Sequence, residues 1–476
     1  MNNARRRYLN FWLLGLSICA AVVSGCKVGP DYKPQEPNVP ASWIGPVMKA
    51  ESNLPAATEK DLVHWWITFG DPNLTRLIER AVKSNLDLKQ AEVRILQARA
   101  ARGIVAAGFW PEASATGSAS RRRLPSATGS GGNKSSLYEV GLDASWEMDI
   151  FGGIRRDIEA AEADIQVAVE NRRDVLVTLT AEVALNYIDL RSFQQQIIIA
   201  QNNLQTQKQT AELTRKRFLG GFVGALDVAN ADSQVATTAS TIPLLESAVR
   251  QTIYNISVLL GEEPAALLEE LSQATSIPPV PPSVPAGVPS DLLRRRPDIR
   301  RAEAQIHAAT ARIGVATADL FPKFLVSASL GTQGNKSNSL GKWDNRFWSY
   351  GGIIDWQIFS AGSIKSNIEL QKGLQKEQLL AYQQTVLTAL QDVENALIAS
   401  AKEQEHRELL VKAVESDRKA VELAMKLYTE GQTDFLNVLQ AQRSLFVTED
   451  SLVRSTGAIS TNLVALYKAL GGGWSD

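Results

Sequence analysis

The chain is poor in the side chains that build catalytic and metal centres. Two cysteines and three histidines (His64, His307 and His406) are spread over 476 residues. That inventory supports neither a zinc site nor a disulfide framework. A histidine-based catalyst has little to work with, and no other catalytic constellation stands out. The expectation is therefore a protein that is not an enzyme and needs no cofactor or metal. Net charge is also lacking: 50 Lys plus Arg face 51 Asp plus Glu, leaving −1. Nothing in that balance attracts nucleic acid. A mean hydropathy of −0.12 excludes a polytopic helical membrane protein. Hydrophobic residues at 44% and charged residues at 21% argue against bulk disorder.

Long hydrophobic runs are scarce as well. The main apolar stretch, Phe11 to Val23, is too short to read as a transmembrane helix. It follows Arg5, Arg6 and Arg7 and ends in Val23-Ser24-Gly25-Cys26. Residues 1–25 read as an export signal, and the terminal four resemble a lipobox, with Cys26 as the lipid attachment point. An ordinary signal peptide with an incidental cysteine is the blander reading. Lys27 stands where an aspartate would signal retention at the inner membrane, which favours the outer one. Several acyl chains on one terminus anchor stably where a single chain does not.

What is abundant is repetition. A Pro-rich tether over 26–60 opens the mature chain, and a second Pro-rich segment, 266–290, falls near the middle. The flanking halves, 61–265 and 291–471, match at a fixed offset. Trp146 pairs with Trp356, Gly152 with Gly362, Phe218 with Tyr428 and Gly221 with Gly431, all 210 residues apart. Upstream the offset is 211: Asp87 with Asp298, Ala91-Glu92 with Ala302-Glu303, Pro111 with Pro322. Residues 472–476 remain as a tail.

Each half reads as helix, strand pair, long helix, turn, helix. The strand pairs fall at about 110–150 and 322–359. Period two is clear in Tyr138, Val140, Leu142, Ala144, Trp146 and Met148 against Glu139, Gly141, Asp143, Ser145 and Glu147. The strand at 111–124 is weaker, being mostly Ala, Ser, Thr and Gly. A half-buried soluble sheet explains such alternation, but these strands also reach the ~9–11 residues that lipid requires. From Gly153 to Leu219 no proline interrupts, and Gly362 to Glu430 is similar. A helix of that length spans ~100 Å. Small and apolar positions step by three and four, as in Tyr382, Val386, Ala389, Val393 and Leu397. Faces rich in Ala, Gln, Ser and Thr imply a helix packed in a layer with both broad faces wet, not one side of a globular core.

Four strands cannot close a barrel, since the smallest membrane barrels have eight. A dimer would give eight strands and a filled interior, whereas a trimer gives twelve and can keep a lumen. The chain reads as one third of a conduit. At this point it resembles the TolC-type outer-membrane efflux factors of the lipoprotein (NodT-like) branch. The matching motifs include "CKVGPDYKPQEP", "WEMDIFGG", "LLRRRPDIRRAEAQIHAATARIGVATADLFP", "YTEGQTDFLNVLQAQRSLF" and "ALGGGW", spread from Cys26 to Trp474. The resemblance implies a mainly helical mixed α/β fold, with a twelve-stranded outer-membrane barrel and a periplasmic α-helical barrel in a homotrimer. It also implies an equatorial layer built from the linker and terminal segments. The implied partners are outer-membrane lipid, a periplasmic adaptor and an inner-membrane pump of the resistance-nodulation-division type.

The resemblance further implies a periplasmic gate near the turn into the last helix. The acidic gate positions of relatives fall on Asn437 and Gln440 here, and an apolar constriction falls on Leu436. Asp227 matches an Asp that some relatives pair with an Arg, but that Arg position is Thr433. The candidate gate is therefore Asp227, Asp434, Leu436, Asn437 and Gln440. Trp65-Trp66 before Phe69-Gly70-Asp71-Pro72, and Arg294-Arg295-Arg296-Pro297-Asp298, read as helix starts, the second with surface ion pairs. Arg121-Arg122-Arg123 lies in the outer loop region, solvated or facing lipid headgroups. A periplasmic coiled-coil adaptor and a structural envelope lipoprotein are the alternatives. The first carries one hairpin without duplicated strand pairs, and the second no strands.

Overall fold

A computed structural model describes residues 27–35, 39–43, 62–123, 134–280, 291 and 294–475. The signal segment, Cys26, most of the tether and residues 281–290 lie outside the described residues. The elements in chain order are a 3-10 turn (Trp65–Phe69), α1 (Pro72–Ser84), α2 (Leu86–Ala107), β1 (Glu112–Arg123), β2 (Lys134–Met148), α3 (Gly153–Leu219), α4 (Ala225–Leu259), α5 (Pro297–Ala318), β3 (Lys323–Gly334), β4 (Arg346–Asp355), α6 (Ser363–Thr429) and α7 (Phe435–Ala469). A single helical turn, Leu268–Leu271, lies inside the 266–290 segment, ahead of its prolines.

The duplication is plain in the element lengths. Helices α3 and α6 both have 67 residues, and α4 and α7 both have 35. Upstream, α2 and α5 match at 22 residues, and β1 and β3 at 12. It is also plain in a duplicated hydrogen bond. Trp146 Nε1 donates to Phe109 O at 3.0 Å, and Trp356 Nε1 to Leu320 O at 3.1 Å.

One compact unit gathers Val93–Val169 and Arg301–Gln383 with the described residues before position 36. It holds a four-stranded antiparallel sheet in the order β1-β2-β3-β4. The register sorts the side chains. Ala115, Leu142 and Leu330 lie in one cross-strand row with Trp348, and Ala113, Ala144 and Ala328 lie in the next with Tyr350. One face is thus apolar from Tyr138 to Met148. The other carries Ser114, Thr116 and Ser118 on β1 and Glu139, Asp143 and Glu147 on β2, because successive strand residues alternate sides. Gly141 faces Gly331 on this polar side, and the Phe347 ring covers the pair; a Cβ on Gly331 would sit 2.5 Å from Val140 O. The weakly patterned segment at 111–124 is a full strand paired along its whole length. Arg121, Arg122 and Arg123 belong to that strand and not to the loop beyond it.

In the same unit the segment after Cys26 is strapped to the helices. Val28 N donates to Phe151 O at 3.1 Å. Arg156, 1% exposed, donates to Val28 O, Gly29 O, Asp31 Oδ1 and Glu159 Oε2. Gly29 takes φ 87°, and a Cβ there would lie 2.5 Å from Gly314 Cα, so strap and α5 touch backbone to backbone. Tyr32 stacks on His307 at 4.4 Å and donates to Glu303. Burial and that acceptor push the Tyr32 hydroxyl well above the ordinary phenol range. Burial alone would raise the Glu159 carboxyl, but hydrogen bonds from Lys27, His307 and Arg156 outweigh it and hold the group low.

The other unit comprises Pro37–Glu92, Glu170–Arg300 and Gln384–Asp476. Helix α1 starts where Asp71 Oδ1 accepts Asn73 N (2.8 Å) and Leu74 N (3.2 Å), with Pro72 next in line. Its buried stripe is Leu74, Leu77, Ile78 and Ala81. The expectation of uniformly wet helix faces fails here. Val177, Val183, Ala184, Tyr187, Ile188 and Leu190 of α3 are all buried, as are Ile253, Ile256, Leu463 and Leu466 of α4 and α7. Trp65 stacks on Tyr467 at 5.2 Å, and Tyr187 Oη donates to Asp71 Oδ2 at 2.7 Å. A small globular core therefore surrounds the middle of α3. The reason is the added layer: terminal and linker segments cover faces that a plain helical barrel leaves open. Arg296 also departs from expectation. It is largely buried, and its guanidinium binds Asp298, Asp392 and the Ala469 carbonyl instead of making surface pairs. The tail packs too, with Arg173 and Arg300 over the Trp474 ring at 4.4 and 5.2 Å and both paired to Glu170.

Candidate functional site

The two long helices end in matched turns. Gly221 and Gly431 adopt φ 77° and 75°. In each turn the glycine N–H bonds three residues back, to Phe218 O or Tyr428 O, and the next N–H bonds five back, to Arg217 O or Leu427 O. This double closure needs a left-handed residue, which glycine supplies without a Cβ penalty. Helix α4 then starts at Gly224, whose N–H donates to Asp227 Oδ2 at 3.3 Å. Helix α7 starts at Asp434, whose side chain caps nothing.

The turns carry different surfaces. Phe435, Val438 and Leu439 point into a buried cluster with Tyr428, Ala211 and Ala231. Gln442 Nε2 donates to Thr210 Oγ1 at 3.0 Å along the same seam. Leu436, Asn437 and Gln440 lie on the opposite, exposed face of α7, and Leu436 is 62% exposed. Asn437 Nδ2 donates to Thr433 Oγ1 at 2.7 Å. The structure therefore groups Leu436, Asn437 and Gln440 on one helix face, with Asp434 one turn before them. Asp227 stays apart, its carboxylate bonded within its own hairpin.

One functional side chain escaped the sequence reading. Arg217, in the last turn of α3, donates to Tyr428 O at 2.5 Å and Thr429 O at 3.2 Å. Its guanidinium lies 4.6 Å from the centre of the Tyr428 ring. Tyr428 is 1% exposed and donates to Thr214 Oγ1 at 3.3 Å. An arginine on the final carbonyls of α6 also opposes the negative end of that helix. The signal was a break in the repeat, since the position equivalent to Arg217 is Leu427. The arrangement ties repeat one to repeat two at their turns.

Among the described residues no helix is long and apolar enough to cross a membrane, and no group of His, Cys, Asp and Glu gathers as a metal site. The sheet has one apolar face, a second face that is polar along β1 and β2 but carries Leu325, Phe347 and Ile353 on β3 and β4, and outer β1 and β4 edges that pair with no other strand among the described residues. Strands of 10–15 residues with one apolar face, joined to long helices that end in matched hairpin turns, are the parts of a membrane channel.

Comparison with known proteins gives the family. The model of the outer membrane efflux proteins matches residues 77–262 and 288–472. The chain belongs to that family and is an outer-membrane exit channel of an efflux system. It is 32% identical to nodulation protein T of Rhizobium leguminosarum bv. trifolii, over 95% of this chain and 96% of that protein. It is also 32% identical to the toluene efflux pump outer membrane protein TtgF of Pseudomonas putida, over 97% of each. Among solved structures it resembles the outer-membrane channel OprN, with a TM-score of 0.87, 35% identity and coverage of 94% of this chain and 100% of that one. The Neisseria gonorrhoeae MtrE channel in its open state gives a TM-score of 0.81 at 29% identity, over 94% and 98%.

Proposed function

We propose that three copies of the chain assemble into one duct and that the duct rests closed at its helical turns. The observation that carries this is the sheet. An apolar face with two open edges cannot persist alone in either water or lipid. With four antiparallel strands, the β4 edge of one copy runs antiparallel to the β1 edge of the next, so copies can continue the sheet. Two copies would give eight strands and a filled interior, while three give twelve and leave a lumen lined by Ser114, Thr116, Ser118 and Asp143.

Six hairpin turns then meet around the axis, two from each copy. Leu436, Asn437 and Gln440 face outward from each protomer's own packing, with Asp434 at the helix start, and would set the narrowest radius. Asp227 contributes charge at the same level of its own hairpin. The lower partners of such a duct are a periplasmic adaptor and an inner-membrane pump, and the pump selects the cargo. Cys26 carries lipid in this reading. The strap supports it, because Lys27 pairs with Glu159 at 2.8 Å and Val28 bonds Phe151 just past β2, which holds the chain's start at the rim of the sheet.

Mass and conductance test the proposal together. The intact assembly in detergent should weigh three mature acylated chains. In planar bilayers, Leu436→Ala and Asp434→Ala should each raise the resting conductance. A correctly assembled trimer whose conductance is unchanged by both substitutions places the gate elsewhere.

A further inference from the structure

The strand register reveals a charge pattern that the pore itself does not require. On the apolar face, β1 runs Ala113, Ala115, Gly117, Ala119 and then Arg121 and Arg123. Beside it, β2 runs from Met148 up to Tyr138 and then reaches Ser136 and Lys134. On β4 the same face carries Ile354, Tyr350, Trp348 and finally Arg346. Four cations thus cap the apolar band at the end of the sheet away from the helices. Arg122, between two of them in sequence, lies on the polar face.

No carboxylate among the described residues pairs with Arg121, Arg123, Lys134 or Arg346, and residues 124–133 contain no acid. Arg123 stands directly opposite Lys134. Facing like charges on paired strands are destabilising, and nothing nearby in the chain offsets them. All four side chains are exposed. The Arg346 guanidinium lies 3.7 Å from the centre of the exposed Trp343 ring. Below it, Trp348 and Tyr350 stack at 5.8 Å, both more than 70% exposed, as aromatic residues at a membrane boundary do. The opposite end of the apolar face, at Met148, Phe324 and Ile354, has no cation.

We propose that Arg121, Arg123, Lys134 and Arg346 form a collar that binds the phosphate groups of an anionic glycolipid in the outer leaflet around the barrel. The proposal rests on reading the sheet as membrane-crossing. Guanidinium pairs suit phosphate because their donors match two oxygens at once. The like-charge contact of Arg123 and Lys134 is relieved when a phosphate lies between them. Their position just beyond the aromatic side chains places them at headgroup depth, and the lipid-facing register excludes a role in filtering cargo.

The test is lipid retention by the purified full-length assembly, counted by native mass spectrometry during titration with bisphosphorylated lipid A. Phosphatidylcholine serves as the uncharged comparison. Wild-type protein should retain lipid A and not phosphatidylcholine, and retention should weaken as salt rises. Each cation changed to Gln should lower affinity about five-fold, and the four together by several hundred-fold. Arg122→Gln should change nothing. Equal loss in Arg122→Gln, full retention in the quadruple variant, or salt-independent retention by the wild type would each overturn the collar. If the quadruple variant fails to assemble, the single variants and the salt series still decide. Bilayer conductance is read in parallel. Protein that ignores lipid A while its Leu436→Ala variant conducts sinks the collar alone, whereas a membrane-inserted assembly that conducts neither as wild type nor with Leu436→Ala, Asp434→Ala or Arg217→Leu sinks the pore reading.

Discussion

Replacing Arg217 with Leu would give repeat one the residue that repeat two already has at the matching position, Leu427. The change removes two charged hydrogen bonds to the last carbonyls of α6 and the stacking of the guanidinium on Tyr428. Hydrogen bonds to charged groups contribute about 1.5–3 kcal/mol each when well made, and the ring contact adds about 0.5–1 kcal/mol. Against this, Arg217 Nε is buried without a partner, and a leucine side chain would remove that cost. The guanidinium is also partly exposed, which weakens its bonds. The net loss is about 2–3 kcal/mol, equivalent to a shift of about 30- to 150-fold between joined and separated turns. The Arg217→Leu substitution should leave Ala211, Tyr428, Phe435 and Val438 packed, so the protein should fold and assemble. Planar-bilayer recordings should then show frequent openings where the wild type rests closed. Arg217→Lys should fall between the two, since it keeps the charge but loses the fork. Wild-type closure in Arg217→Leu, with the trimer intact, would refute the idea that this tie holds the resting state.

Two further outcomes follow from the strap. Glu159 is held below the ordinary carboxylate range, so the folded protein binds fewer protons there than the unfolded chain. Its contribution is present above about pH 4.3 and is lost as the pH falls through the lower native value. Hydrogen exchange of Val28 to Lys33, corrected for intrinsic rates, should accelerate on acidification and, in Glu159→Gln, at neutral pH; equal protection under all conditions would contradict this. Gly29→Val meets both a left-handed backbone and the Gly314 Cα, at a cost on the order of 2–4 kcal/mol. It should free the strap to chymotrypsin cutting after Tyr32, and wild-type resistance there would show that the contact is dispensable.

Much of this fold can be read from the residues because repetition and periodicity are physical signals. The 210-residue spacing of Gly221 and Gly431 anticipates two equal helices and two equal turns. The alternation in 137–150 anticipates which residues share the apolar face. Other features are silent in the sequence for definite reasons. The strand at 112–123 is mostly Ala, Ser, Thr and Gly, so its own pattern is weak, and pairing with β2 along its whole length fixes it. The core around Val183, Tyr187 and Ile188 depends on segments more than 100 residues away, such as Asp71 and Tyr467. Arg217 looks like an ordinary basic residue at a helix end, and only its partner on the other repeat gives it a role. Among the candidate gate residues, the exposure of Leu436, Asn437 and Gln440 follows from the burial of Phe435, Val438 and Leu439, which helical spacing alone does not assign. Asp227 proves to be a local cap of α4.

Electron cryomicroscopy of the full-length protein in lipid nanodiscs would show directly how the sheets of neighbouring copies join. The expected result is a threefold assembly in which β4 of each copy pairs with β1 of the next, closing twelve strands with Leu142, Leu330 and Trp348 toward lipid and Thr116 and Asp143 toward the lumen. A closed barrel of eight strands, or an assembly in which those two edges remain unpaired, would contradict it.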